Sequence, residues 1–274
     1  MANNWRQMAA SLAKTGLLSW RQIAEIVEKP RSTVSDYLRK ESLPSEPEQI
    51  KHDNSRILFI SDMHIPYHHK DLLLFLRSLK ERYKPTRVIC LGDEVDHHAI
   101  SFHDSDPDLD SAGPELKKAL PVIKQLEELF PEMDLIESNH GSLAYRRAKS
   151  HGIPRHYIKP YNEVLGVGPG WKWHEDLVLD LPDGQQVYVH HGKTVEAIKT
   201  SQLMGMSHVS GHYHENFGVK YWSNPHGLYF GINSGCLIDK KSLAFAYNKI
   251  NPKRPIIGTS LIIDGVPVLE AMPL

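Results

Sequence analysis

The chain's 274 residues are 41% apolar and 24% charged with a formal net charge of -1, room for one large domain or a core with an appendage, and too neutral for a wholly basic nucleic-acid binder. Its two cysteines fit buried thiols in a reducing compartment better than a disulfide framework. No run approaches the ~20 apolar residues of a membrane span, and the N-terminus lacks the basic start and apolar run of a signal peptide, so no membrane contact and a cytoplasmic location are expected.

Trp5, Met8, Ala9 and Leu12 recur at helical spacing, with Gly16 placed to cap the C-terminus of that helix. Ser19 can cap a second helix that turns Ile23, Ala24 and Val27 inward. After a break at Glu28–Pro30 a third helix buries Val34, Tyr37 and Leu38. Two short helices joined by a tight turn resemble a helix-turn-helix, although Glu28 stands where that turn usually takes glycine. Through residue 40 there are seven basic residues against three acidic ones, a local excess of four on a neutral chain. Arg31, Ser32, Thr33, Ser35 and Arg39 are expected on the exposed face, facing DNA. The competing reading is a helical hairpin that packs on the core or forms a homodimer. The division expected is a helix-turn-helix unit over 1–42, a linker over 43–54 rich in Pro, Ser and acidic residues, and one domain over 55–274.

Beyond the linker, short apolar strands alternate with helices. "RILFIS" reads as a strand, Lys70–Glu81 as a helix, "RVICL" as a strand, Glu115–Leu129 as a helix and "MDLIES" as a strand, which together argue for an α/β sheet. The second half is richer in β-structure. "DLVLDLPDGQQVYVHH" carries a hairpin signature, and "VSGHYH", "GLYFGIN" and "GTSLIIDGVPVLEAM" add strands.

The 17 histidines stand out, and several follow strands together with carboxylates. Asp62 and His64 come after the first strand, Asp93 and Asp96 after the second, and Asn139 and His140 after the third. His191, then His212 and His214, follow later ones. Carboxyl ends of strands in an open α/β sheet gather along one edge. Carboxylates, an amide and imidazoles meeting there make sense around divalent metal. In extended chain the D-x-H and H-x-H pairs would each point both side chains the same way, toward one ion.

The order D-x-H, G-D-x-x-D, N-H, H-G and G-H-x-H resembles the calcineurin-like metallophosphoesterase family over roughly residues 56–270, the phage and prophage enzymes in particular. The resemblance implies a four-layer α-β-β-α sandwich and two divalent metal ions, manganese favoured and iron or zinc as alternatives. It implies that Asp62, His64 and His214 hold one ion and Asn139, His191 and His212 the other, with Asp93 bridging. His140 would be the proton donor or phosphate contact and Asp96 the carboxylate that orients it. Two departures are visible: Ser138 replaces the glycine before Asn139, and Gly141 replaces the acidic residue after His140. His97, where phosphoprotein phosphatases tend to carry arginine, leans toward diesters. Arg146 and Arg147 could face a polymer's phosphates, and Trp171, Trp173, Tyr221 and Trp222 could stack on bases or belong to the core.

The expected activity is therefore a metal-dependent phosphodiesterase acting on nucleic acid, DNA above all. One alternative is a phosphomonoesterase or a hydrolase of small or cyclic nucleotides. Another, from a different class, is a DNA-binding regulator with an inactive phosphoesterase fold.

Overall fold

The computed structural model describes residues 5–14, 18–40, 53–102, 106–242 and 254–273, and the chain divides into two units, Met1–His52 and Asp53–Leu274. Gly16 and nearly all of the segment read as a linker lie outside the described residues, as do His103, Asp104 and Ser105.

The first unit holds helices α1 (Trp5–Lys14), α2 (Trp20–Ile26) and α3 (Arg31–Lys40). Ser19 starts α2 with a capping box: its Oγ accepts from the Gln22 amide at 3.4 Å, and its own amide donates to Gln22 Oε1 at 2.9 Å. Ile23, Ala24, Val27, Val34 and Leu38 are buried as the spacing predicts, and Tyr37 is half-buried, edge-on to Trp5. In α1 the buried residues are Ala9 and Ala13, while Met8 is 46% exposed. The helices approach closely enough that alanine, not methionine, fills the seam. Glu28 between α2 and α3 takes a left-handed φ of 53°, a conformation glycine adopts at little cost.

The second unit contains two sheets. Along the chain come β1 (Arg56–Ile60), α4 (Leu72–Tyr83), β2 (Arg87–Cys90), α5 (Ala112–Leu129), β3 (Met133–Ile136), α6 (Leu143–Ser150), α7 (Tyr161–Leu165) and β4 (Trp171–His174). Next are β5 (Leu177–Asp180), β6 (Gln186–Val189), α8 (Ala197–Met204), β7 (Ser207–Ser210), β8 (Phe217–Asn224), β9 (Gly227–Ser234), β10 (Gly258–Ile263) and β11 (Val266–Ala271). The first sheet has the order β11-β10-β1-β2-β3-β4 and the second β5-β6-β7-β9-β8. β1 to β4 are parallel, as are β6, β7 and β9, and antiparallel strands close the edges.

Period-two alternation explains the layering. Leu58 and Ile60 of β1, with Val88 and Cys90 of β2, turn to Leu72, Leu76, Ile123 and Leu126 of the α4 and α5 layer. Their neighbours Ile57, Phe59, Ile89 and Leu91 turn the other way and meet Val187, Val189, Val209 and Ile232 of the second sheet. Each such fully buried side chain contributes about 1.5–3 kcal/mol. α8 lies on β9, where Gly231 leaves room for the helix backbone at Ala197 and Ile198. The result is the expected α-β-β-α sandwich. The hairpin signature becomes β5–β6, Leu177 opposite Val189 through Asp180 opposite Gln186. Among the described residues no helix is long and apolar enough to cross a membrane.

Candidate metal centre

β1, β2 and β3 of one sheet and β6 and β7 of the other end at the same place. The segments that follow are laced together by main-chain bonds. Asp62 N donates to Gly92 O, His64 N to Asp93 O, and Gly211 N to His191 O, at 2.8 to 3.2 Å. Side chains add to this: Asp93 N donates to Ser138 Oγ at 3.0 Å and His140 N to Asp93 Oδ1 at 3.2 Å. His212 N reaches Asp62 Oδ2 at 2.9 Å.

Two donor clusters result. In the first, His214 Nε2 lies 3.3 Å from Asp62 Oδ1 and 3.2 Å from His64 Nε2. In the second, His191 Nε2 lies 2.7 Å from Asn139 Oδ1 and 3.1 Å from His212 Nδ1. Asp93 Oδ2 stands between them, 3.5 Å from His64 Nε2 and 3.3 Å from His191 Nε2. Donors around a first-row ion at about 2.1 Å are themselves roughly 3.0–3.4 Å apart, so this spacing suits two ions sharing one carboxylate. Proton positions agree. His191 Nδ1–H donates to Leu91 O at 2.8 Å and His64 Nδ1–H to Asp96 Oδ1 at 2.6 Å, which leaves both Nε2 lone pairs facing the clusters.

The charges agree as well. Burial alone would raise the Asp93 carboxyl, yet His191, His140 and His64 hold it well below the ordinary carboxylate value. Burial lowers His191, but Asp93 and Asp62 outweigh it and push this imidazole up to about 9. Burial instead lowers His64 and His212, so those two rings favour the neutral form in which imidazole ligates a metal.

Three readings from the sequence are corrected. Asp62 and His64 do converge on one cluster, but not as alternating residues of an extended chain. Both take a left-handed φ of 49°, and the kinks turn the donors inward. His212 and His214 divide between the two clusters, as the family resemblance implies and not as same-side neighbours of an extended H-x-H. The Asp96 carboxylate bonds His64; toward His140 it is the Asp96 carbonyl that accepts from Nδ1–H, with the carboxylate 3.7 Å away.

Around the clusters, His97 is buried, bonds the Tyr161 hydroxyl at 3.0 Å, and is pushed down to about 4 by burial and then by His140. Arg147 is committed to the carbonyls of Ile100 and Ser101 and stacks over Phe102, so it braces α6 and does not reach outward. Arg146 is exposed and bonds Asn139 O at 3.4 Å. His190 stands outside both clusters, where its Nδ1 accepts from Gly192 N. Sequence reasoning missed Ser138 as a working residue: its Oγ accepts from Asp93 N and Gly141 N, joining two ligand segments. The serine in glycine's place was the available signal.

The calcineurin-like phosphoesterase model matches residues 55–229. The chain belongs to the calcineurin-like phosphoesterase family. Membership makes it a metal-dependent phosphoester hydrolase, and the His and Asp groups that could hold the metal are in place. Among solved structures it is similar to vacuolar protein sorting 29 from Cryptosporidium parvum, at 14% identity and TM-score 0.40 over 80% of this chain and 96% of that one. The nuclease MPE of Pseudomonas putida is similar at 13% identity and TM-score 0.37, over 78% and 86%. No curated protein matches the chain.

Proposed function

We propose that this phosphoesterase is a dinuclear phosphodiesterase acting on nucleic acid, with DNA the favoured substrate. The observation that carries the reading is Asp93 Oδ2 between the two donor clusters, 3.5 and 3.3 Å from their histidines. Asp62, His64 and His214 would hold one ion, Asn139, His191 and His212 the other, and Asp93 both. Imidazole with carboxylate suits manganese, iron or zinc, manganese first. Two such ions supply charge that stabilises a phosphoryl transition state and lower the pKa of water.

The chain's own residues do the rest. Burial disfavours charge on His140, but the Asp93 and Asp96 carboxylates and the Asp96 carbonyl raise its pKa. The ring therefore favours its protonated form and, with Nδ1 committed to that carbonyl, can pass a proton from Nε2 to the leaving oxygen. His97, held neutral, supplies no fixed cation for the second charge of a monoester, which favours diesters. In the first unit Arg31, Ser32, Thr33 and Arg39 are exposed and Ser35 half-buried on α3, which suits the helix-turn-helix reading.

A metal-replete screen over plasmid, single-stranded DNA, RNA, cyclic nucleotides and phosphomonoesters tests this, with Asp93→Asn as control. Polymer cleavage that disappears in Asp93→Asn is expected. Turnover confined to monoesters or cyclic nucleotides would replace the reading with the small-substrate hydrolase. A metal-loaded protein that binds DNA and turns over nothing would replace it with the inert regulator.

A further inference from the structure

Behind the turn that carries Asn139 and His140 lies a cavity of about 320 Å³ that the proposed chemistry leaves unused. Ser138 and Gly141 of that turn form one wall, and Tyr161 and Trp173, ring centroids 5.6 Å apart, form another. Tyr145 lines it further out, with Arg155 stacked over its ring. At the base is Glu94, 1% exposed, neither of whose carboxyl oxygens makes a hydrogen bond of normal geometry, although Tyr161 and Trp173 stand beside it. Gly141 adds no side chain to this space: a Cβ there would stand 3.7 Å from Glu94 Oε1.

A buried carboxyl with only the Tyr161 hydroxyl and the Trp173 indole beside it keeps acceptor capacity for an N–H donor from something that enters. Aromatic walls call for a flat ring. Glu137 and Glu175 in the lining are balanced by Arg146 and Arg155, with Arg155 3.9 Å from Glu137, so the cavity suits a neutral polar ring better than a bare anion. The volume is at the small end of ligand pockets, about 300 Å³, enough for one ring system. Ser138 and Gly141, which line the cavity, flank Asn139 and His140, so the pocket adjoins the turn that serves the metal centre.

Resting on the nucleic-acid reading of the centre, we propose that this cavity is a base pocket that admits an unstacked nucleobase bearing an exocyclic amino group, whose N–H Glu94 accepts. Guanine, cytosine and adenine carry such a group. Thymine and uracil offer only an imino N–H flanked by two carbonyl oxygens, which would face the carboxyl oxygens.

The test uses full-length protein and free nucleosides, which carry no phosphate and so report the pocket independently of the metal centre. Calorimetric titration should rank guanosine, cytidine and adenosine ~10-fold or more tighter than uridine and thymidine. Glu94→Gln, similar in shape, keeps one acceptor but loses the charge and gains N–H donors that thymine and uracil carbonyls can accept, so it should narrow that ranking. Tyr145→Ala should weaken every nucleoside while keeping the order, and this variant decides the matter if Glu94→Gln does not fold. No binding, equal binding of all five, or binding indifferent to both variants overturns the proposal. Nucleosides that bind in the stated order to a protein that cuts no polymer would leave the pocket standing and remove the polymer reading. Cleavage of DNA by a protein that binds no nucleoside would do the reverse.

Discussion

Asp96→Asn separates two roles that one residue plays through different atoms. Its carboxylate accepts from His64 Nδ1–H at 2.6 Å, with both side chains under 5% exposed, and its carbonyl accepts from His140. The amide substitution keeps an acceptor but removes its charge, and a charge-assisted bond is roughly twice as strong as a neutral one. With charged bonds worth about 1.5–3 kcal/mol, the loss is half of that, about 0.75–1.5 kcal/mol, felt as a less basic His64 Nε2. That corresponds to roughly 4- to 13-fold weaker metal binding at the first cluster, reaching the low end of the ~10–100-fold range for such supporting groups. The backbone carbonyl is untouched, so the orientation of His140 is spared; losing the Asp96 charge lowers the His140 pKa, so the comparison is made at the acid end of the pH range, where the ring stays protonated. The assay is activity against manganese concentration, with bis(p-nitrophenyl) phosphate and an alkyl diester side by side. Asp96→Asn should shift the metal curve, recover its rate at saturation, and treat both substrates alike. His140→Ala should leave the metal curve in place and lose ~10²–10⁴-fold, mostly on the alkyl diester. An unshifted metal curve in Asp96→Asn, with loss confined to the poor leaving group, would refute this division of labour.

Gly211→Ala puts a Cβ onto Ser61 Oγ and Asp62 Oδ2; it should cost about 1–3 kcal/mol of stability and empty the first cluster before the second. Thermal melting and metal analysis check this, and a variant with both ions and an unchanged melt contradicts it. Burial raises the Asp134 carboxyl, but His174 and Arg87 outweigh it and hold it down to about 2. Because that pKa is depressed, the stabilisation exists above the unfolded value of about 3.9 and fades as pH falls toward 2. Asp134→Asn should therefore cost about 1–2 kcal/mol at neutral pH, with the gap from the parent narrowing in acid; a gap independent of pH would count against it. Removing residues 1–46 should spare small diesters and weaken cleavage of long DNA, flattening the log–log salt slope by ~0.9 for each phosphate that the shortened protein no longer neutralises. Charge reversal at Arg31 and Arg39 should imitate the truncation. Intact DNA cleavage by the truncated protein would assign that unit another task.

What could be read ahead followed from burial. β1, β2 and β3 are apolar on both faces because a helix layer covers one and a second sheet the other, so they announce themselves and the polar residues at their ends. α8 escaped because it meets β9 through Ala197, Thr200 and Ser201. Small residues against Gly231 leave no apolar stripe to detect. β8 escaped because it is an edge strand with most of its residues outside the core. Within the site, residue type was legible and atom choice was not. Nothing in the letters says that Asp96 meets one histidine with its carboxylate and another with its carbonyl, or that Arg147 is committed to two carbonyls.

Backbone strain points to a working centre over an inert relic of the fold. Eight described non-glycine residues have positive φ, and five of them, Asp62, His64, Asp93, His97 and His212, lie at or beside the two clusters. Each such residue costs on the order of 1–3 kcal/mol, and glycine or asparagine could have relieved it at any position that only had to turn the chain. Here the side chain is required at the kink itself, because the left-handed turn at each strand end is what aims a donor back over the sheet edge. The sandwich core offsets that cost but does nothing about the second one, imidazole nitrogens 3.1 and 3.2 Å apart with carboxylates between them. A cation removes the second cost directly. If the strain serves metal binding, the unfolding free energy should rise with added manganese by RT ln(1 + [L]/Kd), about 2.7 kcal/mol at a hundredfold excess over Kd, raising the melting point, and Asp93→Asn should abolish most of that rise. A melting point indifferent to divalent metal would mean that the kinks answer to packing alone.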